Sequence, residues 1–173
     1  MMPKNAKWII ALLLLITAAA VCVTLWALFF RTPEVILAPD YAPRETEALA
    51  ETIPNDNSEK MTSQEGGGSV NLTYSNEVSI DLSDERAFLM FANPGRSNQD
   101  MVLQIVIHDE VIVQSGTIQP GHQVTELNLL EGAAAKLTTG GYDGKFTILY
   151  YHPDSAEKAL VNTEIPIRIE VKN

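Results

Sequence analysis

The sequence predicts an all-β domain, an antiparallel sandwich of seven or eight strands, preceded by one transmembrane helix and a disordered tether. Three observations carry this. From Ser69 onward, short runs alternate apolar and polar residues with period two. Turns rich in Gly, Pro, Asn and Asp separate those runs. Upstream lie 23 consecutive uncharged residues and then an acidic, proline-rich stretch. Period-two alternation gives a strand one apolar face and one polar face, as expected of half-buried antiparallel strands. Many such strands with no long amphipathic helix between them imply a sandwich.

Residues 1–7 carry Lys4 and Lys7 and read as a cytoplasmic N-terminus. Residues 8–30, "WIIALLLLITAAAVCVTLWALFF", read as a membrane span. A helix rises about 1.5 Å per residue, so this length crosses roughly 30 Å of hydrocarbon with some tilt. Trp8 and Trp26 fall near its ends, where indole rings favour the interface. A cleavable signal has a shorter apolar core, about 7–15 residues. Val21 stands where lipoprotein cleavage before Cys22 wants a small residue, so the segment reads as an uncleaved anchor. The lysines ahead of the span set its direction by the positive-inside rule. The C-terminal domain is then extracellular, on a single-pass cell-membrane protein.

Residues 31–68 contain Pro33, Pro39, Pro43 and Pro54, eight acidic residues against three basic, and Gly66-Gly67-Gly68. Low hydrophobicity with excess charge buries too little apolar surface to offset ordering entropy. The stretch is therefore expected to be a disordered stalk. Within it "PEVILAP" is a short apolar island, a place for local stickiness or for docking a partner protein.

Residues 69–173 supply the strands. "SVNLTY" and "EVSIDL" alternate, and "RAFLMFAN" is nearly all apolar. "MVLQIVIH" sets Met101, Leu103, Ile105 and Ile107 on one face, and "EVIVQSGTI" follows a turn near Asp109. "HQVTELNLL" and "KFTILYY" come next. In "EIPIRIEVK", Ile165, Ile167, Ile169 and Val171 face one way and the charged residues the other. Leu149 and Tyr151 share the face opposite Phe146, Ile148 and Tyr150. That pair is either a solvent-facing apolar patch or is covered by a second layer.

"LTTGGYDGKFTILYY" resembles the tyrosine corner of immunoglobulin-like sandwiches, in which a Tyr near the start of the sixth strand bonds back to upstream backbone. The resemblance makes Tyr142 the corner residue, with Leu137 beneath it and Gly140, Gly141 and Gly144 shaping the approach. The domain lacks the inter-sheet Cys pair and the Trp of antibody domains, so a fibronectin-like or bacterial immunoglobulin-like variant is implied. The order of anchor, acidic stalk, "VNLTYSNEVSIDLS" and "FANPGRSNQDMVLQIVI" also resembles small membrane-anchored proteins of Gram-positive bacteria, which implies no particular activity.

Composition excludes several function classes. A net charge of −10 and a pI near 4.6 disfavour nucleic-acid binding, which needs a basic face, and docking on anionic headgroups. One cysteine permits no disulfide framework and no cysteine zinc site. The "GGYDG" glycines precede a strand, whereas a phosphate cradle needs a helix start. His108-Asp109-Glu110 and His152 with Asp154 read as exposed turn residues, because neighbouring strand residues point to opposite faces. No G-x-S-x-G elbow occurs. The expectation is a non-enzyme with no cofactor and no metal, working as a binding or structural module. Its expected contact loops carry Asn93, Arg96 and Asn98 on one side and Tyr151 and His152 on the other. The alternatives are an accessory subunit of an envelope-spanning conjugation or secretion assembly, packing through Ala18–Ala20, and, less favoured, a hydrolase.

Overall fold

The computed structural model describes residues 4–29, 37–56, 58–63 and 67–173. The chain falls into two units, Met1–Ile36 and Leu37–Asn173. The apolar island up to Ile36, the end of the expected span at Phe30 and the stalk residues 64–66 lie outside the described residues.

The first unit holds α1 (Lys4–Phe29). Leucine and alanine favour a helix, and no Gly or Pro interrupts it. Its two hydroxyls are internally satisfied, since Thr17 Oγ1 donates to Leu13 O and Thr24 Oγ1 to Ala20 O, both at 2.8 Å. Side chains are described for Trp8, Ile10 and residues 12–24, all exposed within the chain. Within that described set no helix is long and apolar enough to cross a membrane.

The second unit is mostly β-sheet. Its strands are β1 (Glu51–Thr52), β2 (Thr73–Tyr74), β3 (Glu77–Asp81), β4 (Arg86–Asn93) and β5 (Asp100–Ile107). They continue with β6 (Glu110–Gln114), β7 (His122–Asn128), β8 (Gly140–Tyr151) and β9 (Lys158–Lys172). All belong to one hydrogen-bonded sheet in the order β1-β7-β4-β3-β9-β8-β5-β6, with β2 added beside β4. The sequence predicts separate antiparallel sheets, and the structure differs. Five-residue β3 pairs antiparallel with β4 and parallel with β9, so it joins the two halves into one open sheet. Alternation reports which face of a strand is buried and is silent on its neighbours, so this seam was not readable.

The sheet curls over one core. Phe91 on β4 and Phe146 on β8 are separated by two intervening strands in the sheet, yet their rings meet edge to face at 6.2 Å between centroids. Ile80, Met101, Leu103, Ile105, Leu127 and Ile148 fill the same cluster. Along β9, Ile167, Ile169 and Val171 are buried while Pro166, Arg168 and Glu170 are exposed. The β5–β6 hairpin turns on His108 and Asp109 with φ of 48° and 63°, the left-handed pair of a two-residue hairpin turn.

Among the described residues, β9 leaves part of its outer border open. Among the strands, only Glu77–Asp81 covers the outer side of β9, and it covers residues 168–172. The strap meets β9 at Lys158, whose N–H donates to Asp40 O, so residues 159–167 pair on one side alone, with β8. There β9 bulges against β8 between the pairs Leu149–Asn162 and Tyr151–Lys158, and Leu160 and Val161 stand exposed in the bulge.

The clearest difference from the sequence reading lies upstream. Residues 38–53, expected in a disordered stalk, form a strap bonded to the sheet domain. Tyr41 bridges Glu157, Thr46 bridges Thr117, and Glu51 and Thr52 pair with Gln123 and His122 of β7. None of residues 37–53 is buried and only Ala50 packs on the main core, so the strap leaves no hydrophobic pattern. Backbone bonds hold it instead, and composition does not report those.

Phe146 and Ile167 are 0% and 4% exposed. Phe146→Ala and Ile167→Ala should each cost about 2–5 kcal/mol through lost transfer energy and the cavity left behind. Urea denaturation followed by circular dichroism checks this, and wild-type midpoints for both variants would place these side chains outside the core.

Candidate functional site

Two places gather the residues singled out by the sequence. The first is the start of β8. Tyr142 donates its hydroxyl to Thr138 O at 3.0 Å and accepts from Thr138 N at 3.1 Å, with Thr138 Oγ1 at 2.9 Å. These bonds hold the hydroxyl's pKa below the ordinary tyrosine value, first through the Thr138 side chain and then through its backbone. The His108 ring meets the Tyr142 ring edge-on at 5.9 Å. Leu137 is buried beneath this loop in the main core. Gly140, with φ 142°, and Gly141 open the strand. Gly144 has a steric role, because a Cβ there would sit 2.6 Å from Ile169 Cδ1 and 2.8 Å from Val106 O. Glycine thus allows β8 to pass between β5 and β9. This corner fixes backbone through the Tyr142–Thr138 bonds.

The second place is the opposite end of the domain, where the structure revises the expected contact loops. Asn93 is fully buried. Its Nδ2 donates to Gln99 O and Ile118 O, both at 3.0 Å, tying the β4–β5 loop to the β6–β7 connection. Asn98 is half-buried and holds the upstream chain. Its Oδ1 accepts from Ser69 N at 2.7 Å and its Nδ2 donates to Ser63 Oγ at 2.9 Å. The carbonyl of Arg96 accepts from Met61 N at 2.7 Å, while its side chain is exposed. Tyr151 is fully buried and donates its hydroxyl to Pro39 O at 3.0 Å. His152 is half-buried, and its backbone N–H and C=O bond Glu157 and Ala156. Asn93 and Tyr151 are therefore buried within the chain, and Asn98 is bonded by the chain itself. Among the five, only Arg96 is exposed.

What covers this end is the strap. Val102, Leu149 and Tyr151 form a second apolar cluster on the outer face of β5 and β8, and Ala38 and Ala42 pack on it. Of the two readings of the Leu149–Tyr151 face, the covered one holds. On one side of the strap Ala42 N donates to Ala156 O, and Lys158 N donates to Asp40 O. On the other side Glu47 N donates to Thr117 O, Thr117 N to Glu45 O, and Ile53 N to Gly121 O. Glu47 reinforces the crossing. Its carboxylate accepts from Gly116 N at 2.7 Å and from Leu49 N at 3.0 Å. Thr117 Oγ1 adds a bond to Pro43 O at 2.9 Å. The strap backbone passes so closely that a Cβ on Gly116 would lie 2.9 Å from Glu47 N and 3.0 Å from its Cα. Sequence reasoning missed Glu47 and Gly116. Their one signal was a glutamate and a glycine in segments where both types are commonplace.

Burial dominates the electrostatics here. Burial first, and the Asp40 carboxylate second, push the Tyr151 hydroxyl up to about 12. Burial also raises Asp100 above the usual carboxylate value, opposed by Lys60. Among the described residues no group of three or more His, Cys, Asp or Glu converges as metal ligands do. His108, His122 and His152 lie on three separate turns or strand ends.

No family model matches the chain, and no curated protein does. Among solved structures it is similar to AggA, the major subunit of aggregative adherence fimbriae type I from Escherichia coli. That likeness spans 66% of this chain and 100% of the other, at 8% identity and a TM-score of 0.31. A likeness of that size assigns no family and no function.

Two outcomes check this site. Gly116→Val should dislodge the strap, and exposed Arg44 within it should then be cut faster by trypsin, with the sheet domain intact. An unchanged cleavage rate would show that the strap does not depend on that close approach. In an alkaline absorbance titration, Tyr151 should be the last tyrosine to ionise, and Tyr151→Phe should remove that final step. The fold favours its neutral form. Its contribution to stability is therefore full below about pH 10 and is lost as the pH rises toward 12.

Proposed function

We propose that the chain is a single-pass membrane protein that displays an immunoglobulin-like β-domain outside the cell as a non-enzymatic binding or structural module. The observation that carries the membrane half is α1 itself. Its described side chains are apolar on every side and exposed within the chain, and both threonine hydroxyls are folded back onto its own carbonyls. A helix without a polar face needs an apolar surrounding on all sides, which a bilayer provides and water does not. The full 23-residue uncharged run and the lysines ahead of it supply span length and direction.

Strand order supports the immunoglobulin-like half. β3, β4 and β7 stand as the A, B and E strands of one layer, and β9, β8, β5 and β6 as G, F, C and an added C′ of the other. Tyr142 then lies at the start of the F strand, where a tyrosine corner belongs. The chain has no strand between β6 and β7 to serve as D. β1 from the strap pairs with β7 in that position. A rigid sheet held at a surface, with loops and open edges for contact, suits recognition or scaffolding.

The test is done on intact cells that make the full chain. The protein is expected to stay with membranes after alkaline carbonate extraction, and protease added outside should digest residues 37–173. Release into the supernatant would overturn the anchor. Protection from external protease would overturn the orientation.

A further inference from the structure

We propose that the groove filled by the strap is also a docking site for the same segment of a second copy, so that two chains join by exchanging straps. The exchanged unit comprises residues 37–56 and 58–63, and the hinge is placed at Gly67-Gly68. This inference concerns the second unit alone and does not depend on the membrane reading.

The groove is built for a strand. Gly116 gives the passing backbone room, Asn98 and Thr117 receive it with side chain and main chain, and Val102, Leu149 and Tyr151 wait beneath it. These features fit one sequence on the page, residues 38–63 of this chain. The strap's own contribution is of a kind that transfers readily. Its anchoring bonds run to residues far along the chain: Ala42 to Ala156, Asp40 to Lys158, Glu47 to Thr117, Ile53 to Gly121 and Met61 to Arg96. None of residues 37–53 is buried, and of these only Ala50 packs on the main core, so little of that core is uncovered when the strap leaves. The two alanines it lifts away leave an apolar face that must be covered again. A second copy's strap restores every one of these contacts.

The hinge is marked on both sides. Asp56 holds Gly95 and Met61 holds Arg96 on the strap side. Past the glycines, Ser69 exchanges two bonds with Asn98, and Asn71 bonds Ser97. Consecutive glycines between two pinned segments are where the chain most easily changes course. Reciprocal exchange about a two-fold axis leaves neither groove empty and closes at two chains. An uncovered apolar surface lies at the strap's start. Leu37, Tyr41, Leu160 and Val161 are exposed beside the open edge of β9, where an incoming copy would bring apolar cover.

Tyr41 and Glu157 provide the test. The bonds of Ala42 and Asp40 flank this antiparallel pair, so it is a non-hydrogen-bonded pair, the type whose side chains stand closest. In a Cys22→Ala background, one full-length chain carries Tyr41→Cys and a second carries Glu157→Cys. The two are co-expressed, purified in detergent and oxidised. A third chain carrying both substitutions reports whether the strap seats in its expected register. A fourth, carrying Thr125→Cys on an exposed strand position, replaces the Glu157→Cys chain as a control for random collision. Exchange predicts a disulfide-linked mixed dimer from the first two chains, enriched over the control pairing. The proposal is overturned if the double variant closes its disulfide within one chain while the mixture gives no dimer above control. It is overturned equally if the double variant fails to close at all, since the strap would then not occupy this groove.

Discussion

Where Val102 of β5 meets Leu149 and Tyr151 of β8, the two strands are apolar on both faces, and the arrangement of the domain follows from that. A strand with one greasy face needs one covering layer, and these two need two. Met101, Leu103, Ile105, Phe146 and Ile148 face the core, which the curl of the sheet brings over them from β4 and β7. Val102, Leu149 and Tyr151 face the other way. No later strand returns over them. The chain satisfies this second face from upstream, with Ala38 and Ala42 on a strap whose small side chains let its backbone lie flat. Burying three apolar side chains is worth a few kcal/mol at about 25 cal/mol per Å2 of apolar surface. That gain opposes the entropy of ordering an acidic segment that composition alone would leave unfolded.

The second half of β9 was readable, because Ile167, Ile169 and Val171 alternate against exposed charges, whereas residues 158–163, with their bulge, show no such alternation. β8 was readable from Lys145 onward, but residues 140–144, which read as a turn, pair with β9 as strand. The seam at β3 was not readable. Val78 and Ile80 declare a buried face, but the parallel pairing with β9 depends on residues about ninety positions away. The hairpin at His108-Asp109 lacked its usual Asn-Gly signature, and its left-handed pair appears only in the folded chain. The burial of Asn93 and Tyr151 within the candidate contact loops was hidden for a related reason. Asn93 looks like a loop residue in a "NPG" context, yet its amide is a buried brace between Gln99 and Ile118. Buried amides of this kind are defined by their distant partners, and a window of sequence does not contain them.

The strap shows the same limit more broadly. Its hydrogen bonds are almost all main chain, and the side chains that matter, Glu47 and Thr117, act on backbone groups. A glutamate in an acidic run reads as solvated. Here it accepts two backbone N–H groups and holds the crossing in place. Composition describes what a segment does when nothing else is present, and a nearby unpaired strand end changes the outcome. The prolines at 39 and 43 fit both readings, since they favour an extended backbone in a free tether and along a groove alike.

The uncovered side of β9 carries one further meaning. An exposed strand border is a template on which identical molecules add end to end into fibres. In β9 that border is interrupted at both ends of its free length. Pro166 offers no N–H, and the Leu160–Val161 bulge throws the ladder out of step. Molecules crowded at high density are thereby steered away from open-ended stacking, and the border tolerates neighbours without nucleating a filament.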